Sequence, residues 1–270
     1  MSSNLHAADV RDLLGSVVGA ASGELFVINP SREALEALID TLDGSSDVTV
    51  RLLAGRRVLK DTLEDFLVGS VAADLVERGS LELRQHDSEA NTLIVTDERV
   101  VAVVAVDGQV AGLVDEDPEF VDALDAELGR LWAEAEKYGL RTPAISRVRD
   151  SLVDDIGTDT AGDFDDVLAS LETARGDGDG LDEVTVSLLV AAKNEELLYD
   201  ISKWGEDVGI ASKATFSRTK TRLEEMGLLD TEKVPIDVGR PRLRLVLGDD
   251  RLKNASSREL ASVAQSLLAS

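Results

Sequence analysis

The chain has no cysteine among its 270 residues, which excludes a disulfide framework and any thiolate metal site. Histidine occurs only at His6 and His86, so histidine-based catalysis has two side chains at most to draw on. No apolar stretch approaches the roughly 20 residues needed to cross a bilayer, and Met1 to His6 lacks the basic region and apolar run of a secretory signal. A cytoplasmic protein without a membrane span is expected. Gly-x-Gly-x-x-Gly, the phosphate-loop lysine motif and His-Glu-x-x-His are all missing, which removes the usual signatures of nucleotide-dependent and zinc enzymes. Neither a cofactor nor a metal is expected. Aromatics make up 3% of the residues, and only 8 of the 28 basic residues are lysine.

What is abundant is acid. There are 53 acidic residues and a formal net charge of -25. Regular apolar patterning within a 43% hydrophobic content argues against disorder. A folded chain this acidic, poor in lysine and aromatics, reads as adapted to concentrated salt, where charges are screened within about 3 Å. The acid is unevenly spread. Residues 1–180 carry an excess of 23 acids and residues 181–270 an excess of 2, and six of the eight lysines lie in that last third. Such a bias predicts an anionic partner for the C-terminal end.

Apolar spacing predicts a helix over 5–22 and a strand at Glu24 to Ile28. Next come a helix after Ser31 with Ser31 as its cap, a turn at Asp43 to Asp47 and a strand at Val48 to Leu53. One long helix is expected from about Arg57 to Arg78, stopped by Gly79, with a strand at Leu81 and Leu83 beyond it. Thr92 to Val95, Val100 to Val106 and Gln109 to Val114 are β-branched runs, the last two separated by Asp107-Gly108, so antiparallel hairpin neighbours are expected. Pro118 opens a helix to about Tyr138, with Phe120, Leu124, Leu128, Leu131 and Trp132 on one side. Residues 1–140 thus read as an α/β domain with a mixed sheet.

Residues 141–180 read as a helical connector, with a turn at 157–162, a helix at Phe164 to Arg175 and a flexible Asp/Gly linker at 176–180. The linker's alternation mimics the start of a calcium loop, but the required acidic twelfth position falls on Ser187 or Leu188. Residues 181–250 have helix-turn-helix grammar: a helix from Leu181 to Ala192, a second through Leu197, Ile201, Trp204 and Val208, a turn at Gly209-Ile210-Ala211, and a third helix capped by Ser212. Phe216 and Leu223 mark its buried stripe. The opposite face carries Ala214, Ser217, Arg218, Thr221, Arg222 and Glu225, and short hydroxyls with arginines suit a groove-reading helix. Lys213, in the first turn, is placed for a phosphate, while Lys220 falls beside the core and is expected to snorkel. Strands at Leu228 to Val234 and Leu243 to Leu247 enclose a basic bend with Lys233, Arg240, Arg242 and Arg244, as in a wing. Residues 251–270 hold a final helix, Ser256 to Leu268, expected together with Phe164 to Arg175 to set half-site spacing.

Through Gly209 to Arg218, Leu223 to Leu228 and Gly239-Arg240-Pro241, the C-terminal region resembles the winged helix-turn-helix DNA-binding domains of archaeal and bacterial regulators. The resemblance implies double-stranded DNA as partner, with Lys213, Ser217, Arg218, Thr221, Arg222, Lys233, Arg240 and Arg242 as contacts. The alternative is a winged helix used for protein contacts. The whole chain is similar to the TbsP-type transcriptional regulators of haloarchaea. The order of elements around Leu93 to Val104 is similar to the phospholipase-D-like sensor domain of TrmB-type regulators, in which the DNA-binding domain comes first rather than last. This resemblance implies control of central carbon metabolism genes, and a homodimer is expected from the way winged helix-turn-helix domains read two half-sites. Phospholipase-D catalysis needs a histidine with a lysine two residues on, and Asn91-Thr92-Leu93 offers none, so the sensor is expected to be non-catalytic. Asn29, Arg56, Arg57, Lys60 and His86 fall at predicted strand ends, where α/β folds bind ligands. They either hold a phosphorylated sugar effector or pair with surface acids.

Overall fold

Asp9 decides where the first helix begins. Its carboxylate accepts the Asp12 N–H at 2.9 Å, so α1 runs over Val10–Gly19 and the chain before it is free to extend. Leu5–Ala7 is accordingly a strand, β1, and not the start of a helix. The computed structural model describes residues 4–44, 48–87, 91–106, 109–171, 181–237 and 241–269. The expected turn through Asp47, the Asp107-Gly108 hairpin dipeptide, the 176–180 linker and Arg240 lie outside the described residues. Two units are present, one of residues 1–64 and 71–140, the other of residues 65–70 and 141–270.

In the first unit β2 (Gly23–Ile28), α2 (Arg32–Asp43), β3 (Val48–Ala54), α3 (Arg56–Leu63), the greater part of α4 (Phe66–Glu77), from residue 71 on, and β4 (Leu81–Gln85) follow in order. β2, β3 and β4 pair in parallel. Ser31 caps α2 as its chemistry suggests, accepting the Ala34 N–H at 3.1 Å. The single helix expected over 57–78 is broken between α3 and α4. There the buried Asp65 accepts the Leu67 N–H at 3.0 Å, a local bond that competes with helix continuation. β5 (Leu93–Val95), β6 (Val100–Val106) and β7 (Gln109–Asp115) add an antiparallel meander, giving the order β1-β7-β6-β5-β2-β3-β4-β8. The sheet is therefore mixed.

α5 (Pro118–Glu134) lies on one sheet face, its Val121, Leu128 and Trp132 buried with Phe26, Ile28, Leu53, Val95 and Val100. Phe120, expected on that apolar side, is 50% exposed, and its neighbour Val121 is buried instead. The helix stops short of Tyr138 because the Arg84 guanidinium donates to the carbonyls of Trp132 and, at 3.1 Å, Ala135. The chain then pairs as β8 (Glu136–Lys137) with the end of β4. On the face that packs α5, the outer strands place Ala102, Val104 and Val106 opposite Leu113, Ala111 and Gln109. That stretch carries no carboxylate, lysine or arginine, and Val106 and Leu113 are 61% and 48% exposed.

In the second unit, residues expected to form a connector fold into α6 (Ile145–Asp155) and α7 (Thr158–Ala169), with Val148, Leu152, Phe164 and Val167 buried. The residues expected to turn at 157–162 are the first turn of α7, since Thr160 is buried and its hydroxyl donates to Glu196 at 3.2 Å. Tertiary packing overrides local turn propensity there. The remaining elements are α8 (Glu183–Lys193), α9 (Leu198–Val208), α10 (Lys213–Glu225), β9 (Leu229–Val234), β10 (Arg242–Leu247), α11 (Asp250–Lys253) and α12 (Ser257–Leu268). Asp163 of α7 joins two of them, the end of α8 and the start of α12. It accepts from Lys193 at 2.7 Å, from Asn194 at 2.8 Å and from Ser257 at the start of α12.

Burial alone would raise the pKa of Asp163, but the bonds from Lys193, Ser257 and Asn194 outweigh it and hold the carboxyl below its ordinary value. A carboxylate with a depressed folded pKa stabilises above its unfolded value and loses that contribution as pH falls through the folded one. Asp163→Asn should therefore cost about 2 kcal/mol at neutral pH, with the gap to wild type closing in acid below the folded pKa. Denaturant unfolding at several pH values checks this, and a pH-independent gap would contradict it.

Candidate nucleic-acid interface

α9 and α10 cross closely because residue 205 is glycine. A Cβ there would lie 2.3 Å from two ring atoms of Phe216, which is itself fully buried. The turn that joins the helices begins at Gly209, whose φ of 95° is left-handed. The Ile210 N–H then returns to the Gly205 carbonyl at 2.8 Å. Ser212 caps α10 by accepting the Thr215 N–H at 3.2 Å. Behind this pair, the buried Trp204 meets Phe164 edge-on at 6.3 Å and donates to the Ser151 hydroxyl at 2.9 Å. Phe216 and Leu223 point inward, so Ala214, Ser217, Arg218, Thr221, Arg222 and Glu225 form the exposed face of α10.

Individual side chains on that face differ in their freedom. Ser217 is exposed, and the Thr221 hydroxyl donates to the Ser217 carbonyl at 3.0 Å. Arg218 reaches the Thr215 hydroxyl at 3.4 Å, along the outer face. Arg222, expected to project outward, bends its guanidinium back to Thr185 of α8 at 3.4 Å. Lys220 snorkels as expected, its side chain 12% exposed and paired with Glu224 at 2.8 Å. Glu224 also accepts from Thr231 at 3.0 Å, which fastens β9 to α10.

The wing strands pair from Leu229 with Leu247 to Val234 with Arg242. β10 is held on its other side by the Leu245 N–H donating to the Glu196 carbonyl at 2.9 Å. Lys233 is exposed on β9. Arg242 stands 4.7 Å over the ring of Tyr199 and 3.5 Å from Asp200, both in the first turn of α9. Tyr199, half-exposed, and Lys203, one turn along, join this surface and were not singled out from sequence. No spacing rule links Tyr199 to Arg242, because the two meet only through the fold. Lys203 pairs with Asp207 at 2.7 Å and Lys213 with Glu206 at 2.9 Å. Each pair holds its lysine above and its carboxylate below the ordinary pKa, the side-chain hydrogen bond being the main cause. Burial pushes Glu183, at the start of α8, up to about 7.

The effector candidates sit in the first unit at the ends of its parallel strands. Asn29 follows β2 with a left-handed φ of 47°, donates its N–H to Leu53 at 2.8 Å, and accepts from Thr92 at 3.0 Å. His86 follows β4 and donates its N–H to Ala54 at 2.9 Å. Arg56 is exposed at the start of α3, where Asp87 Oδ1 lies 2.8 Å from the position a Cβ on residue 55 would take. Arg57 pairs with Asp61 at 3.4 Å and Lys60 with Glu64 at 3.6 Å, the arrangement of the surface-pairing alternative. A concavity of about 460 Å³ lies elsewhere, in the second unit, lined by Lys193, Glu195, Asp230, Glu232, Leu247 and Lys253 among others. Among the described residues, no group of His, Asp and Glu is placed to hold a metal, and no helix is long and apolar enough to cross a membrane.

Gly205→Ala should lower stability by roughly 1–3 kcal/mol through overpacking against Phe216, a Tm loss of several degrees. A rise in Tm, as alanine gives in an open helix, would contradict the close crossing.

Residues 2–143 match the family model of the N-terminal domain of TbsP-like transcriptional regulators, and residues 144–265 match that of their C-terminal helix-turn-helix domain. Among solved structures the chain is similar to TrmBL2, an archaeal chromatin protein whose structure shows a novel mode of DNA binding. Identity is 18% and the TM-score 0.37, over 50% of this chain and 54% of that one, so the chain spans about half of TrmBL2. No curated protein matches.

Proposed function

The chain belongs to the TbsP-like family of transcriptional regulators, and from that premise we propose that it binds promoter DNA through α10 and the β9–β10 wing. The observation that carries this is the exposed face of α10. It joins small hydroxylated residues and Arg218 beside Lys213, in a C-terminal stretch, residues 181–270, whose charge is nearly balanced within a strongly acidic chain. Arg218 reads base edges, Ser217 and Thr221 permit close approach, and Lys213, Lys203 and Arg242 take phosphates. Tyr199 holds Arg242 in place by stacking beneath it. Arg222 serves α8 through Thr185 and contributes to DNA through charge alone.

The first unit is read as a non-catalytic, phospholipase-D-like sensor. Asn29, Arg56 and His86 gather at the ends of the parallel strands, the place at which a phosphorylated sugar would bind in such a fold. The uncharged stretch around Val104, Val106 and Leu113 supports a homodimer, because a second acidic copy approaches there without setting carboxylates against each other. Two copies would read two half-sites related by a two-fold axis. The acidic composition fits work in concentrated salt, and the targets that go with the family resemblance are genes of glycolysis and gluconeogenesis.

Arg218→Ala combined with Arg240→Ala tests the reading. Loss of a base-reading arginine and a wing arginine should weaken binding to a promoter fragment by roughly 30-fold or more, with the circular dichroism spectrum and Tm unchanged. Unaltered affinity in a variant that still folds would leave the winged helix as a protein-contact module.

A further inference from the structure

Glu206 lies at the C-terminal end of α9, one tight turn before α10. One carboxylate oxygen accepts the N–H of Lys213, the first residue of α10, at 3.2 Å, and the other pairs with Lys213 Nζ at 2.9 Å. A helix N-terminus joined to a lysine is an anion site by charge and by donor geometry. In this chain a carboxylate of the same domain already holds it. Both side chains stay more than 40% exposed, so the pair is open to exchange with solvent or ligand. The next residue, Asp207, treats Lys203 the same way at 2.7 Å.

Resting on the reading of α10 as the DNA-contacting helix, we infer that Glu206 is an internal stand-in for a DNA phosphate. It keeps Lys213 and the start of α10 occupied until a phosphate displaces it. The consequence is thermodynamic. A lysine that meets a phosphate releases a counterion from DNA, which steepens the salt dependence by about 0.9 per contact. When the lysine must first leave a carboxylate, that carboxylate gathers a cation of its own, and the two ion counts cancel. Glu206 thereby removes affinity from the sequence-independent phosphate contacts and leaves base contacts untouched. Specificity is raised without a new base contact, and binding tolerates salt that would strip an ordinary basic helix from DNA.

The test compares full-length wild type with Glu206→Gln, whose amide oxygen still accepts the Lys213 N–H. The probe is a fluorescent 30-base-pair duplex of mixed sequence, titrated from 0.2 to 1 M KCl, with folding monitored by circular dichroism at each salt. Glu127→Gln, an equal charge change in the first unit, is the control. The variant should bind roughly fourfold tighter at 0.2 M, lose that advantage by 1 M, and show a slope steeper by about 0.9 in log Kd against log salt, while the control does neither. Wild-type binding with an unchanged or weaker Glu206→Gln overturns the inference and leaves the proposed function standing. Absence of binding by either protein across the range also overturns the inference, since freeing Lys213 then gains no phosphate contact, and leaves the proposed function, which concerns promoter sequences, standing.

Discussion

The crossing of α9 and α10 at Gly205 is the constraint on which the rest of the second unit depends. With the Phe216 ring seated where a methyl group would be, the two helices meet at one distance and one angle. Everything on the far side of α10 is then placed by helical geometry. Trp204 and Phe164 extend the same packing to α7, and the bond from Trp204 to Ser151 reaches α6. The face offered to a ligand is therefore backed by close packing, a condition for reading base edges, whose hydrogen bonds tolerate little displacement. The wing is tied to this frame at two points, through Glu224 to Thr231 and through Glu196 to Leu245.

Electrostatics on that face is unlike that of an ordinary basic DNA-binding surface. Lysines are present, but Lys203, Lys213 and Lys220 each have a carboxylate within 3 Å on the same or the adjoining helix. Exposed pairs of this kind add little stability, so their importance lies in what they do to a binding partner. On the proposed reading they temper the field that would otherwise hold DNA of any sequence, leaving hydroxyls and Arg218 to discriminate.

Parts of this were legible in the sequence because their chemistry is local. Ser31 and Ser212 cap the helices that follow them, and Phe216 with Leu223 mark a buried stripe seven residues apart. Where the outcome depends on distant residues, the sequence was silent. Leu5–Ala7 is a strand because β7, some hundred residues on, pairs with it. Residues 158–162 are helical because Thr160 finds Glu196. A helical wheel puts Arg222 outside, yet its long side chain folds back to Thr185. The pairing of Lys203 with Asp207 follows an i,i+4 rule, but Glu206 meets Lys213 across a turn, and only the fold shows it. For the effector candidates, strand-end placement was legible, and the acids that meet Arg57 and Lys60 are again four residues on.

The most direct test of the central claim is selection from a pool of genomic fragments by the purified protein in molar KCl, with sequencing of the retained DNA. The account predicts strong enrichment of a few promoters sharing a two-fold-symmetric motif, because base contacts made by a closely packed α10 survive where phosphate contacts are screened. Retention of no fragments, or of fragments without a common motif, would contradict it.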